Sequence, residues 1–230
     1  HGFGQRFFQH VLKTWGVINY AGSSYAQCRG ARDVGFLLTY GAGVGSPEPT
    51  DIRNTECLVL IGSHLGENMH NSQVQEFAQA VERRATVIVV DPRHSVAASK
   101  AKYWLPVKPG TDLALIMAWC NLLVQEGRYD KTFVDKHGHG FDKFVDAIKG
   151  NTVEWAAEQC DVPPELIRAA GREMASHRPA AIVHPGRRVN WYGDDTQRSR
   201  AIALVNALLG NYGRKGGMFV SQGIKIGRAH

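Results

Sequence analysis

The run SYAQCRGARD sets Cys28 beside Arg29 and four residues before Arg32, just ahead of a helix expected over Ala31 to Tyr40. Neighbouring guanidinium groups and a helix N-terminus stabilise the anion of a thiol, so this sulfur should exist substantially as thiolate. Three chemistries use such a sulfur: nucleophilic attack, thiol redox exchange and metal ligation. A nucleophile wants a histidine base at a motif position, and a redox thiol wants a resolving cysteine nearby; the sequence displays neither. A soft ligand to a metal carried in by a cofactor remains. The plainer alternative, a buried inert cysteine, is weakened by the polar neighbours Gln27, Arg29 and Asp33. Cys57 and Cys120 lie inside apolar runs and suit the inert role, and Cys160 falls at a helix end. None of the four shares a CxxC spacing, so neither a zinc site nor a disulfide framework is suggested.

Further chemistry is suggested where expected strands end. The loop Gly62 to His70 offers Gly62, Ser63, Gly66 and Asn68 ahead of a helix, where backbone amides and the dipole can receive phosphate. It lacks GxGxxG, and a plain strand-to-helix turn explains it equally well. Asp91 closes the next strand, a place where a carboxylate accepts hydrogen bonds from ribose hydroxyls; Arg93 beside it could reach a phosphate or stack on a base. A capping Asp-Pro turn is the bland reading. Asp112 either serves a helix dipole or accepts the paired N–H donors on the edge of guanine. In HPGRRVNWYGDDTQR, Arg187 and Arg188 follow a Pro-Gly turn and suit an oxyanion, while His184 fits packing better than ligation.

The elements that would position these residues alternate strand and helix. CLVLIG from Cys57 and TVIVVDP from Thr86 to Pro92 are short apolar runs ended by turn residues, as strands covered on both faces should be. Between them Val74, Phe77, Ala78 and Val81 fall on one helical face, which makes 57–92 a βαβ unit with parallel strands. A third strand is expected near Lys102 to Lys108 and a fourth at Ala180 to Gly186. Thr111 looks like the N-cap of a long buried helix, and Asn151 with Glu154 resembles a capping box. Further helices are expected at Lys131 to Lys136, Phe141 to Lys149, Thr152 to Cys160, Pro164 to Ser176 and Thr196 to Leu209. The last is stopped by GNYGRKGG, whose glycines suit a left-handed cap and a close approach to other backbone. The fold class is therefore α/β, with a parallel sheet in Rossmann-like nucleotide-binding layers and helices on both faces. The expected division is 1–56, part of a discontinuous α/β domain carrying Cys28; 57–178, a dinucleotide-binding domain; and 179–230, a return segment bearing an active-site loop.

With 43% hydrophobic residues the chain can bury a substantial core. Its net charge of +6 is scattered, without interleaved aromatics, which favours anionic ligands at discrete points over a nucleic-acid groove. The longest apolar run, Leu113 to Val124, is too short to span a bilayer. The chain starts at His1 with no leader composition and ends at GIKIGRAH without closing an element, so it reads as an excerpt.

In order along the chain, IGSHLGEN, VVDPRHS, WLPVKPGTDLAL, GFD, EWAAE, HPGRR and GNYGRKGG resemble the catalytic subunits of the dimethyl sulfoxide reductase superfamily of molybdopterin enzymes. CRGARDVGF with HPGRRVNWYGDDTQR is most similar to the polysulfide/thiosulfate reductase branch. The resemblance implies a bis(molybdopterin guanine dinucleotide) cofactor with molybdenum or tungsten, and Cys28 matches its protein ligand. Arg29, Arg187 and Arg188 would accompany Cys28 as catalytic residues beside an anionic substrate. The matching cofactor-binding residues are Gly62, Ser63, His64, Gly66, Glu67, Asn68, Asp91, Pro92, Arg93, Ser95, Gly110, Asp112 and Gly186. The implied function is anaerobic respiratory electron transfer to or from a sulfur compound or oxyanion. It also implies an iron–sulfur cluster in a part preceding this sequence, an iron–sulfur partner subunit, a membrane anchor and a periplasmic location. A non-catalytic scaffold of the same fold is the alternative, and the missing glycine fingerprint disfavours an NAD enzyme.

Overall fold

A computed structural model describes residues 3–19, 30–45, 48–63, 65, 71–186 and 194–219. Helix α1 (Phe3–Thr14) and helix α2 (Ala31–Tyr40) precede strand β1 (Cys57–Ile61). Helix α3 (Asn71–Glu82), β2 (Thr86–Val90) and β3 (Tyr103–Leu105) follow. Five helices come next: α4 (Asp112–Gln125), α5 (Lys131–His137), α6 (Phe141–Ile148), α7 (Val153–Cys160) and α8 (Pro164–Ser176). Strand β4 (Ala181–Val183) and helix α9 (Asp195–Leu208) complete the order.

The strands form one parallel sheet in the order β3-β2-β1-β4, with Cys57 opposite both Thr86 and Ala181. Alternate residues leave a strand on opposite faces, and both faces are apolar here. Val59, Ile61, Ile88, Val90 and Val183 join one core with residues of α2, α4, α7, α8 and α9; Leu58, Leu60, Val87, Val89 and Ile182 join another with Phe77 and Ala80 of α3. The α/β architecture expected from the sequence is thus present, a sheet between two helical layers. The expected boundary at 178/179 runs through this sheet, because β4 is hydrogen-bonded to β1 and shares its hydrophobic layers. Helix α1 was not expected, and Phe7, Phe8 and Val11 on it are exposed.

Among the described residues strand β4 has a strand neighbour on one side, and two asparagines line its other edge. Asn206 Nδ2 donates to Val183 O at 2.9 Å, and its Oδ1 accepts from Val183 N–H at 3.0 Å. Asn211 Nδ2 donates to Ala181 O and to Asn206 Oδ1, each at 2.6 Å. Side-chain amides therefore replace a missing strand, satisfying backbone groups that would otherwise be buried unpaired.

The long apolar helix is α4, with Trp119 fully buried and donating from Nε1 to Ile167 O at 3.0 Å. Two expected caps differ in detail. Thr111 stands at the N-cap position of α4, but its hydroxyl donates to Lys108 O at 2.7 Å, so it closes the preceding turn instead of receiving a helix N–H. For α7 the cap is Thr152, accepting from Trp155 N–H at 3.1 Å, one residue beyond Asn151. The Asn151 carbonyl is taken by Asn121 Nδ2 at 3.2 Å. The glycine-rich turn after α9 does run against backbone: a Cβ on Gly216 would lie 2.8 Å from Asn54 O, and one on Gly217 2.0 Å from Asn211 O.

Candidate functional site

In a parallel sheet the carboxyl ends of all strands lie along one edge, and turns leaving that edge gather side chains from distant parts of the chain. Here β1 ends at Gly62 and Ser63, β2 at Asp91, and β4 at His184 to Gly186. Gly62 and Gly186 adopt positive φ, 56° and 65°, where glycine avoids the clash of a side chain. A Cβ on Gly186 would come 3.4 Å from Ile61 O, so the two turns lie against each other.

Asp91 is buried, and its Oδ1 accepts from the Arg93 backbone N–H at 2.8 Å. That is the capping turn; Arg93 Nε lies 3.8 Å from Asp91 Oδ1, and the side chain is 61% exposed. Ser95 is also consumed locally, accepting from Ala98 N–H at 3.2 Å. His184 is buried, with Nδ1 accepting from Gly186 N–H at 3.0 Å, so it braces the turn as packing predicts. Ser63 is different: it is buried, and its hydroxyl has no hydrogen-bond partner among the described residues.

Arg32 departs from expectation. Its neighbours in sequence suggested a charge available to the Cys28 thiolate, yet the side chain is fully buried and faces carboxylates. Nη1 donates to Glu48 Oε1 and to Gly186 O at 3.0 Å, and Nη2 to Asp33 Oδ1 at 3.2 Å and to Gly45 O. Its charge is therefore matched inside the protein. What Arg32 does instead is mechanical: it fastens the first turn of α2 to the turn immediately before Arg187. Sequence reading missed this because Glu48 lies far along the chain. Gly35 assists, since a Cβ there would fall 2.6 Å from Arg200 N and 2.8 Å from Thr196 O. Only glycine lets α2 lie this close to α9.

A second missed residue is Arg198. Arg198, Ile202, Val205 and Leu209 recur along one helical face, a signal visible in sequence as an arginine heading an apolar stripe. The side chain is 7% exposed, and Nη2 lies 3.5 Å from Asp112 Oδ1 at the start of α4. Burial holds its pKa below the usual arginine range, against the pull of Asp112 and Asp195. Nε and Nη1 have no hydrogen-bond partner among the described residues. A buried donor left unpaired costs about 1–3 kcal/mol, so such groups are retained where something else satisfies them.

Gly110 takes φ 86° in the turn leading to Asp112. Cys57, Cys120 and Cys160 are buried free thiols raised by burial, Cys120 up to about 12, in keeping with the inert role. Cys28, Arg29, His64, Gly66, Glu67, Asn68, Arg187 and Arg188 lie outside the described residues. No group of three metal-ligating side chains occurs among the described residues, nor any helix long and apolar enough to cross a membrane.

Unpaired donors at Ser63 and Arg198, an exposed arginine at Arg93 and a carboxylate at Asp112, set around the carboxyl edge of a parallel sheet, fit a nucleotide rich in acceptors. The fold is that of an α/β protein built on a parallel four-stranded sheet. Residues 5–227 match the molybdopterin oxidoreductase family, and the chain belongs to it. The chain is 37% identical over 183 residues to the thiosulfate reductase molybdopterin-containing subunit of Salmonella typhimurium, covering 80% of this chain and 24% of that one. It is 35% identical to the dimethyl sulfoxide reductase of Haemophilus influenzae, covering 80% and 26%. Among solved structures, acetylene hydratase from Pelobacter acetylenicus superimposes with a TM-score of 0.76 at 26% identity, over 89% of this chain and 27% of that chain. The chain spans about a quarter of the length of these relatives.

Proposed function

We propose that this chain is the nucleotide-binding core of the catalytic subunit of an oxidoreductase acting on a sulfur compound or sulfur oxyanion of the polysulfide or thiosulfate type. Its cofactor is a bis(molybdopterin guanine dinucleotide) carrying molybdenum or tungsten, which when bound supplies two-electron transfer at the metal. Gly62 and Ser63, with His64, Gly66, Glu67 and Asn68, receive nucleotide phosphates; Arg93 faces the cofactor from the Asp91 turn, and Asp112 meets the guanine edge.

Cys28 supplies the protein thiolate to the metal. Arg29, Arg187 and Arg188 hold the anionic substrate, since guanidinium forks match the paired oxygens of an oxyanion. The observation that carries this reading is the buried contact between Arg32 and Gly186 O. It ties the first turn of α2, close after Cys28 in sequence, to the Gly186 turn, which Arg187 follows in sequence. Glu48 and Asp33 neutralise Arg32, so its charge is used inside the fold. Electrons pass through an iron–sulfur cluster and an iron–sulfur partner subunit to a membrane anchor on the periplasmic side.

The test is made on the full-length protein from anaerobically grown cells. Metal analysis should return one molybdenum or tungsten per chain, oxidised pterin fluorescence should be present, and a reduced viologen should be oxidised on addition of thiosulfate or polysulfide. Absence of both metal and pterin would remove the reading. Metal and pterin with turnover of a different substrate class would keep the cofactor and discard the sulfur assignment.

A further inference from the structure

Among the described residues one buried arginine, Arg198, keeps nitrogens without a hydrogen-bond partner. Arg198 and Arg32 are both buried arginines, but Arg32 donates to four partners while Arg198 has Asp112 at 3.5 Å from Nη2, the longer-range pull of Asp195, and two nitrogens with no hydrogen-bond partner among the described residues. An arginine kept only to balance Asp112 would close on it. The charge of the pair is already balanced, so a phosphate arriving there would meet the Asp112 carboxylate as well as the cation. A neutral acceptor, such as a carbonyl oxygen, suits the site better.

Guanine offers one in the right place. Along its edge the amino group, the ring N–H and the carbonyl oxygen O6 stand in a row, two donors followed by an acceptor. A carboxylate that accepts from the two donors leaves O6 directed at whatever flanks it, and Arg198 flanks Asp112.

We propose that Arg198 donates to guanine O6 and, with Asp112, makes the site specific for guanine over adenine. This rests on the nucleotide reading of the site given above. Adenine places a donor where guanine has O6, so an adenine there would face the guanidinium donor to donor.

The experiment uses the full-length protein purified without cofactor from cells unable to make the pterin, titrated calorimetrically with guanosine, inosine, 6-thioguanosine and adenosine diphosphates. Sulfur at position 6 is a poor acceptor but leaves both guanine donors intact. Wild type should bind guanosine diphosphate about tenfold more tightly than the 6-thio analogue, roughly the effect of one lost buried hydrogen bond. Arg198→Met should weaken guanosine diphosphate by about the same factor and bind the two alike. Asp112→Asn should lose discrimination against inosine, which lacks the amino group, and keep it against the 6-thio analogue. Wild type binding the oxygen and sulfur forms equally overturns the proposal without any variant, as does Arg198→Met that still discriminates between them. Should Arg198→Met not fold, Arg198→Leu, which likewise has no donor, gives the same comparison. Wild type that binds no guanine nucleotide sinks the nucleotide reading itself; wild type that binds it without regard to O6 sinks only the role of Arg198.

Discussion

Helix α9 carries three buried polar residues, Arg198, Ser199 and Asn206, and the two with the longest side chains, about two turns apart, are treated oppositely. Asn206 donates to Val183 O and Ile202 O and accepts from Val183 N–H and Asn211 Nδ2, so both ends of its amide are matched. Among the described residues Arg198 has a long ion pair to Asp112 and two nitrogens without a hydrogen-bond partner. Both lie within a helix whose other buried residues include Ala201, Ile202, Ala203 and Val205. The half of α9 beside β4 completes the sheet edge, and the half near Asp112 carries the buried cation proposed above to meet guanine.

The comparison is broken most directly at its satisfied end. Asn206→Leu fills a similar volume but strips Val183 of both side-chain partners and Asn211 of one, leaving several buried backbone and amide groups unpaired. The expected loss is about 3 kcal/mol or more, read as a lower denaturant midpoint. An unchanged midpoint would mean that water or a neighbour replaces the amide, and the division of α9 would lose its basis. A smaller effect is expected from Gly35→Val, whose side chain would strike the α9 backbone at Thr196 O and Arg200 N. Overpacking of this kind costs about 1–3 kcal/mol. Because α2 follows Cys28, the variant should also lose metal content before it loses fold.

The two halves of α9 were not equally legible in sequence. Short apolar runs marked β1 and β2, helical spacing marked α3, and a long apolar run after Thr111 marked α4, because those signals are local. Asn206 and Asn211 escaped notice since their partners belong to β4, more than twenty residues back, and an asparagine in a helix carries no mark of what it meets. Arg32 misled for a related reason: Arg29 and Cys28 are its sequence neighbours, while its counter-charge Glu48 comes from beyond the helix. Arg198 was visible as a charged residue on an apolar stripe. Its pairing with Asp112 joins two helix starts that the chain separates by more than eighty residues. Cys28, Arg187 and Arg188 were singled out by type and resemblance, and they lie outside the described residues.

The core thiols give a pH test of the satisfied half. Burial raises Cys120 from an ordinary 9.0 to about 12 and raises Cys57 as well. The unfolded chain releases these protons first, so the folded state binds more protons once pH passes about 9. The stabilisation is complete below that value and is lost progressively as pH climbs toward about 12, at up to about 1.4 kcal/mol per pH unit for each thiol. Cys120→Ala should remove one share of that slope, measured from denaturant midpoints between pH 8 and pH 11. An unaltered slope would show that Cys120 ionises in the folded state, contrary to its packing.

The smallest effect is the sharpest, because its sign is at issue. Replacing a poorly satisfied buried cation by an apolar side chain of similar length removes an unmet desolvation penalty, and such replacements are often neutral or stabilising. Arg198→Met should therefore leave the cofactor-free protein as stable as wild type or raise it by up to about 1 kcal/mol, in contrast to the loss at Asn206. Asp112 is slightly exposed, at 15%, so water can take over from the lost guanidinium. Addition of guanosine diphosphate should then reverse the order, stabilising wild type more than the variant, since a ligand stabilises in proportion to its affinity for the folded state. A loss of about 3 kcal/mol in Arg198→Met without nucleotide would put Arg198 in the same structural class as Asn206. Helix α9 would then have no half given over to binding.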